Sequence, residues 1–376
     1  MTKLRLEPRP SPSQTLALTT PILALLLTVA LGVMMFLLLG VDPVSALRMF
    51  FVEPLRTAQG WSELAVKATP LVLIALGLSV CYRSNVWNIG AEGQYVLGAI
   101  FAGGAALLAG EDTNRGYVLV VLLAGTVGGM LWAALVAVLR DRFHANEILV
   151  SLMLVYVAEL LLGYLVYGPW KDPEGYNFPQ TITFVDAARL PPMVPGYRIH
   201  YGAPIALVAV GIVFTFLFRT FSGFRLQVVG LAPAAARYAG FSARRSLWTT
   251  LLLSGGLAGL AGSLEVTGPL GQLTPYAPVG YGFAAIIVAF VGRLHPVGVV
   301  LSAFLMSLFY IGGELAQSRL GLPKSLSSVF QGILLFTLLA CDTLINHRVR
   351  LVRAPARTAA RASTLDGVPN EKRAAR

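Results

Sequence analysis

Charge is what this sequence has least of. Only 12% of its residues are Asp, Glu, Lys or Arg, where a soluble globular protein carries roughly a quarter, and the mean hydropathy is +0.71. That shortage excludes a soluble globular chain and leaves a polytopic membrane protein. Cysteine is nearly absent: Cys81 and Cys341 lie at ends of apolar runs, with no metal-ligand spacing and no disulfide framework. The histidines, His144, His200, His295 and His347, fall in separate loops, so no metal site and no catalytic site are expected. No Gly-x-x-x-x-Gly-Lys-Ser/Thr loop occurs; the chain has no nucleotide site of the usual kind, and no cofactor of its own is expected. Such a chain is not expected to be an enzyme, nor its own ATP motor. The formal charge of +11 does not point to nucleic acid either, because the cations sit in short loops and tails beside apolar runs.

Those runs are what is there. Stretches near the roughly 20 residues that cross a bilayer recur along the chain, at 21–40, 64–82, 92–110, 117–139, 147–167, 203–218, 247–268, 281–291, 296–315 and 327–341. The expected fold class is all-α, a polytopic transmembrane bundle of about ten spans, in which the short run 281–291 is open to being a half-helix paired with the next. The loop cations orient it: 20 of the 29 Lys and Arg fall on the side of the N-terminus and 9, Lys67 and Arg319 among them, on the other. The positive-inside rule then puts both termini in the cytoplasm. Residues 1–20 form an N-terminal segment, 21–345 the transmembrane domain, and 346–376 a basic tail without apolar periodicity. The tail is expected to be disordered and held near anionic membrane lipid.

The stretch Arg83–Gly98 interrupts this pattern with two asparagines, a glutamate, a glutamine and three glycines. Non-helical backbone at membrane depth is tolerated only where protein or a wet cavity satisfies its amides and carbonyls, so this break is expected to face the inside of the bundle. Asn88, Glu92 and Gln94 are the candidate pathway residues, because an ionisable group inside a membrane protein is a functional candidate by default; satisfying a helix end would explain them equally well. For Glu159 and Glu314, a structural bond to a neighbouring helix or a position at the interface is the better reading. Gly255, Gly256, Gly259 and Gly262 read as a close helix-packing surface.

Two loops are too long for minimal turns. The segment 168–202 combines prolines with Trp170, Lys171, Asp172 and Glu174 and reads as an ordered external cap or docking loop. The internal segment 219–246 holds five arginines and a small-residue stretch that can start a short helix at Pro233, since proline suits a first helical turn. Within it Ala235, Ala236, Arg237, Tyr238, Ala239 and Gly240 are the candidate docking element for a separate motor.

Three motifs carry a resemblance. Asn88-Ile-Gly-Ala-Glu-Gly-Gln94, Gly168-Pro-Trp-Lys-Asp-Pro-Glu-Gly175, and Ala235-Ala-Arg-Tyr-Ala-Gly240 followed by Ser254-Gly-Gly-Leu-Ala-Gly-Leu-Ala-Gly262 together resemble the permease subunits of bacterial ABC importers for nucleosides. That group belongs to a broader one that also serves simple sugars and branched-chain amino acids. The resemblance covers roughly residues 20 to 345; Trp87 stands where phenylalanine is expected. It implies a translocation pathway for nucleosides, or alternatively for a simple sugar, in the bacterial inner membrane. The implied partners are an ATP-binding subunit, a second related permease chain and an external substrate-binding lipoprotein. A stand-alone secondary transporter would need an ion-coupling relay, which isolated acids supply poorly.

Overall fold

The computed structural model describes the backbone of residues 2–8, 14–323 and 325–353. Thirteen helices follow one another in this part: α1 (Gln14–Leu38), α2 (Pro43–Leu47), α3 (Ala58–Arg83), α4 (Ala91–Leu107), α5 (Val118–Phe143), α6 (Glu147–Tyr167), α7 (Gly202–Arg219), α8 (Phe221–Leu231), α9 (Pro233–Tyr238), α10 (Ala243–Glu265), α11 (Tyr281–Val291), α12 (Pro296–Leu320) and α13 (Ser325–Asn346). Polar residues begin several of them: Thr57 accepts from Gly60 N at 3.0 Å, Asn146 from Ile148 N at 2.9 Å and Thr220 from Gly223 N at 3.1 Å. Each takes up one of the amides that a helix start leaves unpaired.

Each of the ten expected spans falls on a helix, but among the described residues only seven segments are long and apolar enough to cross a membrane by themselves. Three fall short: α4 and α11 begin at interruptions inside the bundle and so reach 17 and 11 residues, and the apolar part of α13 is the shorter stretch Ser325–Cys341. The chain is not purely helical either. Strand β1 (Thr2–Pro8) pairs antiparallel with β2 (His347–Arg353), Thr2 opposite Arg353 and Pro8 opposite His347. The start of the tail expected to be disordered from 346 is thus a strand, and 354–376 lies outside the described residues. Lys67 and Arg319, counted above among loop cations, belong to α3 and α12.

At the centre stands α10, packed against α3, α4 and α5. Its approach to its neighbours is set by glycine meeting backbone. A Cβ added to Gly259 would lie 2.3 Å from the carbonyl oxygen of Gly125, and one on Gly262 2.1 Å from that of Tyr95. The facing helices answer in kind, for a Cβ on Gly98 would meet Gly259 Cα at 2.3 Å and one on Gly129 the Gly255 oxygen at 2.2 Å. Gly255, Gly259 and Gly262 are therefore the packing surface expected, whereas Gly256 faces the flexible Met130 side chain at 3.1 Å. Such contacts replace the hydrophobic drive that lipid cannot provide between helices.

The two ends of the bundle differ. At one end, Arg83, the last residue of α3, donates to Leu294 O after α11 at 2.9 Å and to Gln227 of α8 at 3.4 Å, while Arg244 at the start of α10 pairs with Asp141 near the end of α5 at 2.7 Å. At the other end the 168–202 loop lies over the connection from α10 to α11. Thr181 N, Phe184 N and Leu190 N donate to the carbonyls of Leu273, Gly271 and Thr267. Burial, with Arg198 close by, pulls His200 down to about 4. The ring is therefore neutral near pH 7, and its Nδ1 accepts from Gly202 N at 3.0 Å where α7 begins.

The glycine contacts make a paired prediction. Gly259→Ala should overpack the α10 interface and destabilise the fold by about 1–3 kcal/mol, lowering the melting temperature of the purified chain. Gly163→Ala in α6, where nothing lies within 4 Å of an added Cβ, should be neutral or stabilise by roughly 0.5–1 kcal/mol.

Candidate functional site

The break expected from sequence is a re-entry. α3 ends at Arg83, Asn85 takes a positive φ of 56°, and the chain runs without helix until Ala91 opens α4. Asn88, Glu92 and Gln94 are 0%, 1% and 0% exposed, and the structure brings Asn88 and Gln94 face to face. Asn88 Nδ2 donates to Gln94 Oε1 at 2.9 Å and to Ser254 Oγ of α10 at 3.0 Å. Gln94 Nε2 returns a bond to Asn88 Oδ1 at 3.2 Å, and Gly90 N donates to the same oxygen at 3.1 Å. The amide pair thus clips the start of α4 to α10.

Glu92 does something different. One carboxylate oxygen accepts from Gly280 N at 2.9 Å and the other from Gly282 N, which are backbone amides at the start of α11. Glu92 itself lies in the first turn of α4. Two helix N-termini, each carrying partial positive charge from its unpaired amides, therefore converge on one carboxylate. Gly280 has φ +80°, and a Cβ on Gly282 would lie 2.2 Å from Glu92 N; glycine is what admits the close approach. All three candidate pathway residues thus find their partners within the chain.

Neither aromatic near the break is free to move alone. Tyr95 is fully buried, donates its hydroxyl to Ala277 O at 3.3 Å and meets the Tyr281 ring edge-on at 6.0 Å. Trp87 is 39% exposed and packs beside Tyr82 and Phe290.

The candidate docking element is a helix of six residues, α9, following α8. Tyr238 is 97% exposed and Ala236 2%; Ala235, Arg237, Ala239 and Gly240 are exposed. Gly240 closes the helix with φ +75° and donates to Arg237 O at 3.0 Å. Ala236 is thus the seat of α9 on its own chain, and Tyr238 is what the helix presents.

Sequence reading named Glu314 as an acid with a structural role but passed over the polar group around it. Lys67 Nζ lies 3.4 Å from Glu314 and 5.9 Å above the Tyr281 ring, and the Tyr310 ring meets that of Tyr281 edge-on at 5.6 Å. Glu265, 8% exposed, lies within electrostatic reach of Lys67 and Tyr281. The signal available in sequence was a lysine inside the apolar run 64–82, which a loop count hides.

The Glu92 bridge yields a prediction. Glu92→Leu leaves two buried amides without acceptors and Glu92→Gln leaves one facing an NH₂ group, so each should destabilise by about 1–3 kcal/mol per lost acceptor. Thermal melting of the purified chain in detergent checks it, with Leu expected below Gln and Gln below wild type.

Residues 60–339 match the family described as the permease component of branched-chain amino acid transport systems. The chain is similar to a glucose ABC transporter permease protein of Haloferax volcanii, 35% identical over 92% of this chain and 93% of the relative. It is also similar to a guanosine ABC transporter permease protein of Bacillus subtilis, 28% identical over 85% and 92%. A nucleoside ABC transporter permease protein of Lactococcus lactis is 25% identical over 86% and 91%. No solved structure matches. A buried polar re-entry in a helical bundle, a short projecting helix and a family match over most of the chain agree: this chain belongs to the permease components of ABC importers, a multi-pass membrane subunit and not itself an enzyme.

Proposed function

We propose that this permease forms the translocation pathway for a nucleoside, moved by an ATP-binding subunit that grips α9 and delivered by a binding protein at the 168–202 end. In this reading the chain crosses the inner membrane ten times, α4 and α11 completing their crossings with the non-helical stretches before them. Both termini and α9 lie in the cytoplasm, and a second related permease completes the pathway. Asn88, Glu92 and Gln94 serve the pathway as the latch that positions α4 and α11. The nucleoside rests on the Asn88–Gln94 motif and the Trp170–Lys171–Asp172–Pro173 loop; the glucose permease relative favours a simple sugar as the second reading. Both solutes carry a neutral sugar ring.

The observation that carries the motor interface is Tyr238, 97% exposed on a helix seated by Ala236. A lone exposed aromatic suits a pocket on a partner. Arg244, by contrast, is engaged within the chain by Asp141 at 2.7 Å.

Co-purification with the ATP-binding subunit tests the motor contact. Tyr238→Ala should weaken association about thirtyfold, as loss of an interface anchor does, while Arg244→Ala should change it little, since an exposed ion pair contributes about 0–1 kcal/mol. The reverse result would replace the shape-based contact with a charge-based one. Uptake of radiolabelled guanosine and glucose by the assembled transporter decides between the two solutes.

A further inference from the structure

Glu92 and its neighbours have all their polar groups satisfied; the cluster around Tyr281 does not. Tyr281 is the first residue of α11, 0% exposed, and its hydroxyl has no hydrogen-bond partner. Glu265, 8% exposed, has the cations Lys67 and Arg198 within electrostatic reach. Gln331, also 8% exposed, reaches the Tyr310 hydroxyl. Burying the Tyr281 hydroxyl without a partner is costly in a membrane bundle. An orphaned hydroxyl beside the Lys67 ammonium, 5.9 Å from the same ring, describes a place built to be completed by something else.

We propose that Lys67, Glu265 and Tyr281, flanked by Tyr310, Glu314 and Gln331, form the point at which this permease recognises its solute, and that the solute is an uncharged ring bearing several hydroxyls. The inference rests on the importer reading above and deepens it.

The chemistry selects the class. Glu265 and Glu314 accept, Lys67 and the Gln331 amide donate, and the Tyr281 hydroxyl does both. Adjacent ring hydroxyls, each donor and acceptor at once, match that alternation. Tyr281 and Tyr310, set edge-on at 5.6 Å, offer apolar surface to the C–H face of the same ring. Glu265 and Glu314 face the cations Lys67 and Arg198, so neither sign dominates and an uncharged solute is favoured. The position fits as well. Tyr281 lies between Gly280 and Gly282, the two residues whose amides Glu92 holds, so a displacement of α11 that opens the cluster also loads the latch.

A purely structural role for these groups makes the opposite forecast for one substitution. Tyr281→Phe removes a hydroxyl that bonds nothing in the resting chain, so the fold should be unharmed or stabilised; Glu265→Gln removes a charge and keeps the side chain's shape. The assay uses the complete transporter in proteoliposomes, with loaded binding protein saturating and labelled glucose and guanosine as probes. We expect both variants to keep the wild-type melting temperature and ATP-binding-subunit association, while the rate for the transported solute falls about tenfold. Rates within twofold of wild type in both variants overturn the site. A rate loss that only tracks a lowered melting temperature also overturns it and makes the cluster a strut. Failure of the wild type to move either solute sinks the importer substrate class instead, and the site with it.

Discussion

The bond from the Glu92 carboxylate to the amides of Gly280 and Gly282 is the constraint on which the interior depends. A helix that starts inside a membrane exposes unpaired amides to surroundings that cannot satisfy them. This chain starts two such helices, α4 and α11, and answers both with one side chain. The electrostatics favour the arrangement, since the positive poles of two helices face a single acceptor. Geometry follows from it: the non-helical runs before α4 and α11 must reach the same depth, and the α10 helix must pass close enough for Ser254 to bond Asn88.

That closeness explains why α10 is rich in glycine. With Gly98, Gly125 and Gly129 on the facing helices, backbones touch where side chains would hold them apart. The site and the packing are therefore one problem. A bundle with ordinary side-chain spacing would leave the Asn88 amide out of reach of α10, and the break would lack the partners that make it tolerable.

Much of this was legible in the sequence, for identifiable reasons. The polar break stood out because Asn88, Glu92 and Gln94 interrupt apolar runs, and the glycine surface because small residues recur at helical spacing. The α9 helix announced itself through Pro233 and Gly240. What the residues did not reveal was long-range: that Glu92 reaches Gly280, 188 positions away, leaves no local trace. Nor did a count of loop cations recognise Lys67 as a helix residue, because one charge in an apolar run reads as a boundary. The number of crossings stayed open for the same reason, since whether α4 and α11 complete a crossing depends on what surrounds the stretches before them.

The pairing of the chain's two ends has a consequence for how the protein is made. α1 packs against α13, where Thr28 and Thr337 hydroxyls meet at 3.0 Å across 309 positions of sequence and the Phe36 and Phe330 rings meet tilted at 5.5 Å. Little else shelters α1, whose membrane-length window is 22% buried even in the finished chain. During synthesis the first helix must therefore wait in lipid, its Thr28 hydroxyl bonded only to Ala24 O of its own backbone, until α13 emerges. Biogenesis of this permease is a ring closure, and its final step is set by the arrival of the C-terminus.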